Sequence, residues 1–264
     1  MTMASRVCRY CHRRKPLPMI KRFLGLSALL LSSVLAMGAF AGNPPDAAAE
    51  VKFSEAETVL WMTDQLKTVA APTVLTYDFV KAGSFEEGFK DRVIFTIQKI
   101  KPAGMKAAAL DFFSGERHFV IPPEESTNAN PVLKVYLQGD VYEMNRLTDP
   151  DGSARERWRY FQRRIKFALT ESAKVEAAEF EFDGKRYHGK TVRFQPYTND
   201  EKRSAFDKFA DKIYAITVAD SLPGYLFRIE TSVPDKRAPT VPLLTEVLQL
   251  MSSKPYVTSG AAKK

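Results

Sequence analysis

Cysteine is nearly absent. Cys8 and Cys11 are the only two among 264 residues, and both precede a long uncharged apolar run. Beyond that run the chain has no thiol nucleophile, no disulfide and no thiolate metal site. Histidine is almost as scarce. Only His118 and His188 follow the run, and neither has a His or Cys at metal-ligand spacing. His118 sits in a polar stretch and His188 follows a hairpin turn, so both are expected to be exposed or hydrogen-bonded structural residues. G-x-S-x-G, the P-loop and G-x-G-x-x-G are all missing, and these are the motifs whose geometry announces hydrolase or nucleotide chemistry. No catalytic residue, metal or cofactor is expected, and the chain reads as a non-enzyme.

Acidic residues are missing from the first 41 positions, which hold Arg6, Arg9, Arg13, Arg14, Lys15, Lys21 and Arg22. The formal net charge of +8 therefore belongs to this segment. Beyond it, 32 basic residues face 31 acidic ones, so no global field attracts a phosphate backbone and no nucleic-acid partner is expected. Lys21 and Arg22 form a positive n-region, Phe23 to Phe40 carries no charge, and Ala39-Phe40-Ala41 is an A-x-A signal before Gly42. Together they read as a secretory signal peptide cleaved after Ala41. The alternative is an N-terminal membrane anchor, but the run is at the short end of the ~20 residues that span a bilayer. Met1 and Met19 both serve as candidate starts. Cys8-Arg9-Tyr10-Cys11-His12 matches the c-type haem motif C-x-x-C-H, yet cleavage would discard it. Export without disulfides points to a periplasm. The expected organisation is an N-terminal extension and signal peptide over 1–41, a linker over 42–52, a single domain over 53–251 and a flexible tail over 252–264.

What the chain does have is strand periodicity interrupted by helices. Ser54 with Glu57 makes a capping box, and Val59, Met62, Leu66 and Val69 recur at helical spacing up to Ala71-Pro72. Thr73–Lys81, Lys90–Lys99 and Lys106–Phe113 alternate as strands. Residues 114–129 look irregular. Asn130 with Pro131 starts a helix whose apolar positions include Val135, Tyr136, Val141, Met144 and Leu147. Asp149-Pro150-Asp151-Gly152 breaks it. A second helix, opening at Ser153, carries Trp158, Phe161, Ile165 and Leu169 on one stripe and arginines on the rest. Strands resume at Val175–Phe182, Lys185–Pro196, Ile213–Ala219 and Tyr225–Val233, with Asp183-Gly184 as a hairpin turn. Residues 201–212 form a short helix or a polar excursion, and Leu243–Leu250 a last strand or a helical turn. The short connections require a mostly antiparallel sheet. The fold class is α+β: a strongly curved, mainly antiparallel sheet, an incomplete β-barrel, with an N-terminal helix and a mid-chain helical hairpin on its concave face.

Such a sheet encloses a space that side chains fill or leave as an apolar cavity. Tyr77, Phe79, Phe95, Phe112, Val135, Met144, Trp158, Phe161 and Ile165 are the candidate ligand-binding residues. Arg157, Arg163 and Arg164 are expected to look outward and form the candidate docking surface for an anionic partner. Asp140 and Glu143 share a helix face and read as a solvated pair countered by Arg146 rather than as acid–base machinery.

In its order of elements, signal peptide, helix, strands, two helices set mid-sheet and further strands, residues 53–250 resemble the periplasmic lipoprotein-carrier superfamily of LolA and LolB. The match is one of architecture, with no short signature. The resemblance implies an incomplete barrel whose helices form a lid over a cavity for acyl chains, and an arginine of the cavity that meets the lid, for which Arg92, Arg193 and Arg228 are candidates. The arginine-rich second helix and the 197–212 excursion depart from that pattern. The expected function is a soluble periplasmic carrier of a hydrophobic or lipid-like ligand, an acyl chain or lipoprotein. The alternative is a non-enzymatic accessory subunit that docks on an envelope protein.

Overall fold

A computed structural model describes residues 52–149, 157–206, 209–238 and 240–257. The signal peptide, the Cys8–His12 motif, the linker up to Val51 and the Pro150-Asp151-Gly152 turn lie outside the described residues. Helix α1 (Glu55–Trp61) leads into strands β1 (Thr73–Gly83), β2 (Phe89–Ile100) and β3 (Lys106–Phe112). Two short strands, β4 (Phe119–Val120) and β5 (Glu124–Thr127), precede helices α2 (Pro131–Thr148) and α3 (Arg157–Glu171). Strands β6 (Lys174–Phe182), β7 (Lys185–Phe194), β8 (Ile213–Val218), β9 (Leu226–Val233) and β10 (Leu244–Pro255) follow.

All ten strands join one antiparallel sheet in the order β4-β3-β2-β1-β10-β9-β8-β7-β6, with β5 also on β3. The two meanders, β1–β4 and β6–β10, are joined by β1 pairing with β10, and the sheet does not close on itself. This is the expected α+β curved half-barrel. Alternation sorts its faces: Leu75, Tyr77 and Phe79 of β1, Val93, Phe95 and Ile97 of β2, and Tyr214, Ile216 and Val218 of β8 are all buried. Each such Phe, Leu or Ile withdrawn from water contributes about 1.5–3 kcal/mol.

The hairpin helices lie over this buried face. Asn130 caps α2 as expected, its Oδ1 accepting from the Val132 N–H at 3.1 Å with Pro131 in the first turn. Its Nδ2 donates to the Tyr77 hydroxyl at 2.9 Å and to the Gly224 carbonyl at 2.8 Å, pinning the start of α2 to the sheet. The approach is close: a Cβ on Gly224 would lie 2.2 Å from Leu75 Cδ1, and its φ of 75° already favours glycine.

Four expectations on elements change. Residues 114–129 are not wholly irregular, because β4 and β5 both pair with β3. The Ser54–Glu57 capping box is present, but α1 ends at Trp61 instead of running to Ala71. The Gln65 and Leu66 N–H groups donate to the Asn128 carbonyl, and Asp64 accepts from Leu66, a local alternative to helix that aspartate favours. The tail expected to fray from Ser252 is instead paired as far as Pro255, along Thr73–Thr76 of β1. Among the described residues of the 201–212 segment, Arg203–Ala205 form a 3₁₀ turn, and Phe206, Phe209 and Ala210 are buried in the core, so the segment is not a purely polar excursion.

Candidate functional site

The expected ligand-binding residues divide into two groups. Tyr77, Phe79, Phe95, Phe112, Met144, Phe161 and Ile165 are buried, while Val135 and Trp158 are half-buried and pack against them. Phe79 belongs to a ring cluster with Phe89 and Phe113, and Phe112 joins it through Phe113 at 4.6 Å. Phe161 belongs to another, set edge-on against Tyr197 at 5.4 Å and Phe206 at 5.6 Å. Trp158 pairs with the exposed Tyr142 at 5.4 Å where α2 meets α3. The space beneath the helices is occupied by these side chains in this structure. A cleft of about 320 Å³ does exist, but it lies at the end of α3, walled by Arg164, Phe167, Glu171, Ser172, Gln195 and Asn199, and none of the nine residues lines it.

The arginines also part company. Arg163 is exposed, as expected. Arg157 is not a free surface cation: its Nη1 donates to the Thr148 carbonyl at 2.5 Å, satisfying an acceptor at the C-terminal end of α2. Arg164 turns inward, its Nε 2.7 Å from Oδ2 of the buried Asp200. Asp200 also accepts from the Tyr160 hydroxyl, so both groups are committed to holding α3 on the 197–212 segment.

What the sequence reading did not assemble is a charged network under α2. Asp140 is not on a solvated face, while Glu143 is half-buried and is countered by Arg146 as expected. Asp140 is buried and meets the ammonium of Lys212, itself only 2% exposed. Its other oxygen accepts from the Tyr214 hydroxyl at 2.6 Å. Glu143 Oε1 lies 2.8 Å from the buried Lys81 Nζ and 2.8 Å from Arg146 Nη2. Glu246 of β10 sits between the two lysines, 3.5 Å from each. It accepts from Thr231 at 3.0 Å and from the Tyr136 hydroxyl at 3.3 Å. Glu86 extends the network outward, bridging Lys81 and Arg146 at 2.6 Å each. Helix α2 contributes Tyr136, Asp140 and Glu143, at the i, i+4, i+7 spacing of one helical face. Lys81 and Glu246 come from the neighbouring strands β1 and β10, and Lys212 from the residue before β8.

The electrostatics follow the geometry. Burial raises the Asp140 carboxyl above its ordinary range, against the pull of Lys212 and the Tyr214 hydroxyl. Burial opposes the charge on Glu246 too, but two lysines outweigh it and hold this carboxyl low. Glu143 is pulled down to about 2, because Arg146 and Lys81 together overcome its burial. Lys81 and Lys212 both stay above the ordinary lysine range, since the facing carboxylates offset burial that by itself would neutralise them. Burial pushes the Tyr136 and Tyr214 hydroxyls up, so they act as neutral hydrogen-bond donors. The arrangement binds a helix to a sheet through ions. Its lysines, carboxylates and hydroxyls are paired with one another.

No family model matches the chain, and no curated protein matches its sequence. Solved structures with a similar layout include the lipoprotein LppX of Mycobacterium tuberculosis, 9% identical with a TM-score of 0.33, covering 78% of this chain and 99% of that one. A LolA superfamily protein of Nitrosomonas europaea is 12% identical with a TM-score of 0.24, over 77% of this chain and 94% of its own. LprF of Mycobacterium bovis is 11% identical with a TM-score of 0.28, over 77% and 95%. At these scores the likeness carries no functional argument. The LolA/LolB-like layout rests on this chain's own element order, with two helices set mid-sheet over an unclosed antiparallel sheet. Of the three arginines that the resemblance offered for a cavity cation, Arg92 pairs with Asp78 and Arg228 with Glu230, while Arg193 is exposed. The cations that meet the helices from the buried face are Lys81 and Lys212.

Proposed function

We propose that the protein is a periplasmic carrier of a hydrophobic, acyl-chain ligand, with α2 and α3 as the lid. One observation carries this reading. The lid helix α2 covers an apolar half-barrel face, yet it is fastened at its middle by Asp140–Lys212 and Glu143–Lys81 rather than by hydrocarbon alone. Charges that separate regain their hydration, whereas separating apolar surfaces costs about 25 cal/mol per Å². A lid fastened through ions therefore opens at a lower cost than one sealed by leucine. Helix α2 also carries buried polar atoms without a hydrogen-bond partner, the Gln138 amide nitrogen and the Asn145 amide oxygen. Lifting the helix would hydrate both.

With the lid raised, Tyr77, Phe79, Phe95 and Phe112 of the sheet and Met144, Phe161 and Ile165 of the helices line the acyl site, with Val135 and Trp158 at its edge. Native mass spectrometry of the exported form should find a co-purified lipid, and a fluorescent fatty acid should bind in proportion to protein. Asp140→Asn, which weakens the fastening without shrinking the site, should speed uptake. A clean ligand-free mass together with no fatty-acid binding by either protein would end this reading.

A further inference from the structure

Helix α3 has an outer face that the fold leaves uncovered. Its 15 residues carry Arg157, Arg159, Arg163, Arg164 and Lys166 against the single carboxylate Glu171. Arg157 and Arg164 are committed inward. Arg159, Arg163 and Lys166 are exposed, at spacings of four and three residues, and so form one stripe. Arg159 lies over the Trp158 ring at 5.2 Å. Phe167 stands beside this stripe, 50% exposed, although Phe161, Ile165, Ala168 and Leu169 of the same helix are buried. A second exposed ring lies close by. Phe53, 51% exposed, precedes Ser54, whose hydroxyl donates to the Leu169 carbonyl near the end of α3 at 2.8 Å. Among the described residues, the acidic groups beside this surface are Glu57, which accepts from the Thr170 hydroxyl and whose charge Lys166 favours, and Glu171.

A stripe of cations with aromatic rings at its border is the pattern of a helix that lies on a lipid surface, with rings entering the headgroup layer and cations meeting anionic lipid. Among the described residues no helix is long and apolar enough to cross a membrane. We propose that the outer face of α3, through Arg159, Arg163, Lys166, Phe167 and the adjoining Phe53, docks the protein reversibly on an anionic phospholipid bilayer. The docking requires no bound cargo, so it stands or falls separately from the carrier reading.

Co-sedimentation of the exported form with vesicles of phosphatidylglycerol and phosphatidylcholine, against vesicles of phosphatidylcholine alone, tests it. Binding should appear only with the anionic vesicles and should fall as salt rises. Each cation at such a surface is worth about a five-fold change in partitioning, so Arg163→Ala with Lys166→Ala should weaken binding roughly 25-fold. Phe167→Ala should weaken it at every salt concentration. Arg186→Ala, at the exposed β6–β7 hairpin, removes an equal charge elsewhere and should leave binding within about two-fold. All four residues are on the surface, and an unchanged circular dichroism melt confirms folding. No binding to anionic vesicles at low salt, equal binding to neutral ones, or an equal loss per charge in Arg186→Ala would each overturn the proposal.

Discussion

Lys212→Met tests the charged network at its most enclosed point. Lys212 is buried, paired with Asp140 and 3.5 Å from Glu246. Methionine fills similar volume without charge, leaving two carboxylates in the site. Glu246 keeps Lys81 as a partner at 3.5 Å, while Asp140 keeps only the Tyr214 hydroxyl. Removing one partner of a buried pair costs about 3–5 kcal/mol. For a domain of this size that is a fall in melting temperature of roughly 6–20 °C. The pH dependence has a defined sign. Asp140 already sits above its ordinary value of 3.8, and without Lys212 it rises further. A carboxyl raised on folding binds its proton more tightly in the folded state, so stability falls as pH climbs from 3.8 towards the folded value. The deficit of the variant should be largest near neutrality and shrink as pH falls towards 3.8. Adding Asp140→Asn should recover a large part of the loss at neutral pH and remove its pH dependence. Urea unfolding of parent, single and double variants at both pH values reads all of this. A single variant within about 1 kcal/mol of the parent, or a deficit that ignores pH, would refute the view that Lys212 compensates a buried carboxylate.

Asn130→Ala removes the α2 cap and the amide that donates to the Tyr77 hydroxyl and the Gly224 carbonyl, leaving each with one partner, the carbonyl and the N–H of Leu226 respectively. Urea unfolding should show a loss of about 2–4 kcal/mol, with Asn130→Ser, which restores only the cap, recovering about 1 kcal/mol. Glu143 is depressed from 4.5 to about 2, so its stabilisation is complete above pH 4.5 and is lost as pH falls towards 2. Thermal melts across that window should show Glu143→Gln less acid-sensitive than the parent, and parallel curves would rule the ion pairs out as the cause.

The sheet was legible because side-chain alternation has a period of two: Leu75, Tyr77 and Phe79 point inward as their spacing requires. The same rule marked the charged network. Lys81 continues that inward series, Lys212 precedes Tyr214, Ile216 and Val218 in theirs, and Glu246 stands between Leu244 and Leu248. A charge at an inward position was the available signal, and it was passed over because Lys81 and Lys212 fall at strand ends, where charge is ordinary. The pairing itself could not be read. Lys81 reaches Glu143 across 62 residues and Lys212 reaches Asp140 across 72, and both contacts depend on β10 returning to lie beside β1. The inward turns of Arg157 and Arg164 were hidden for the same reason. Each answers an acceptor, the Thr148 carbonyl or Asp200, that helical periodicity does not report.

The two ends of α2 are held by different chemistry. At its start, neutral hydrogen bonds from Asn130 meet Tyr77 and Gly224, and the Asn130 N–H donates to Gln65 at 2.7 Å. These partners are buried, and breaking them would strand uncharged groups away from water at about 1–3 kcal/mol each. From its middle onward ions join the buried Val141 and Met144 in holding α2, and the outermost of these ions, Glu86 with Arg146, are already in contact with solvent. Water can enter there and solvate Glu143 and Lys81 before Asp140 and Lys212 separate. A buried ion pair gives little net stability over apolar residues of the same volume, so apolar replacements would hold the lid at least as firmly. The ions make sense as a fastening whose cost of release is refunded by water, with the Asn130 end as the hinge. In the carrier proposed above, an acyl chain that enters under the raised end would meet Phe161 and Met144 first and Tyr77, beside the hinge, last.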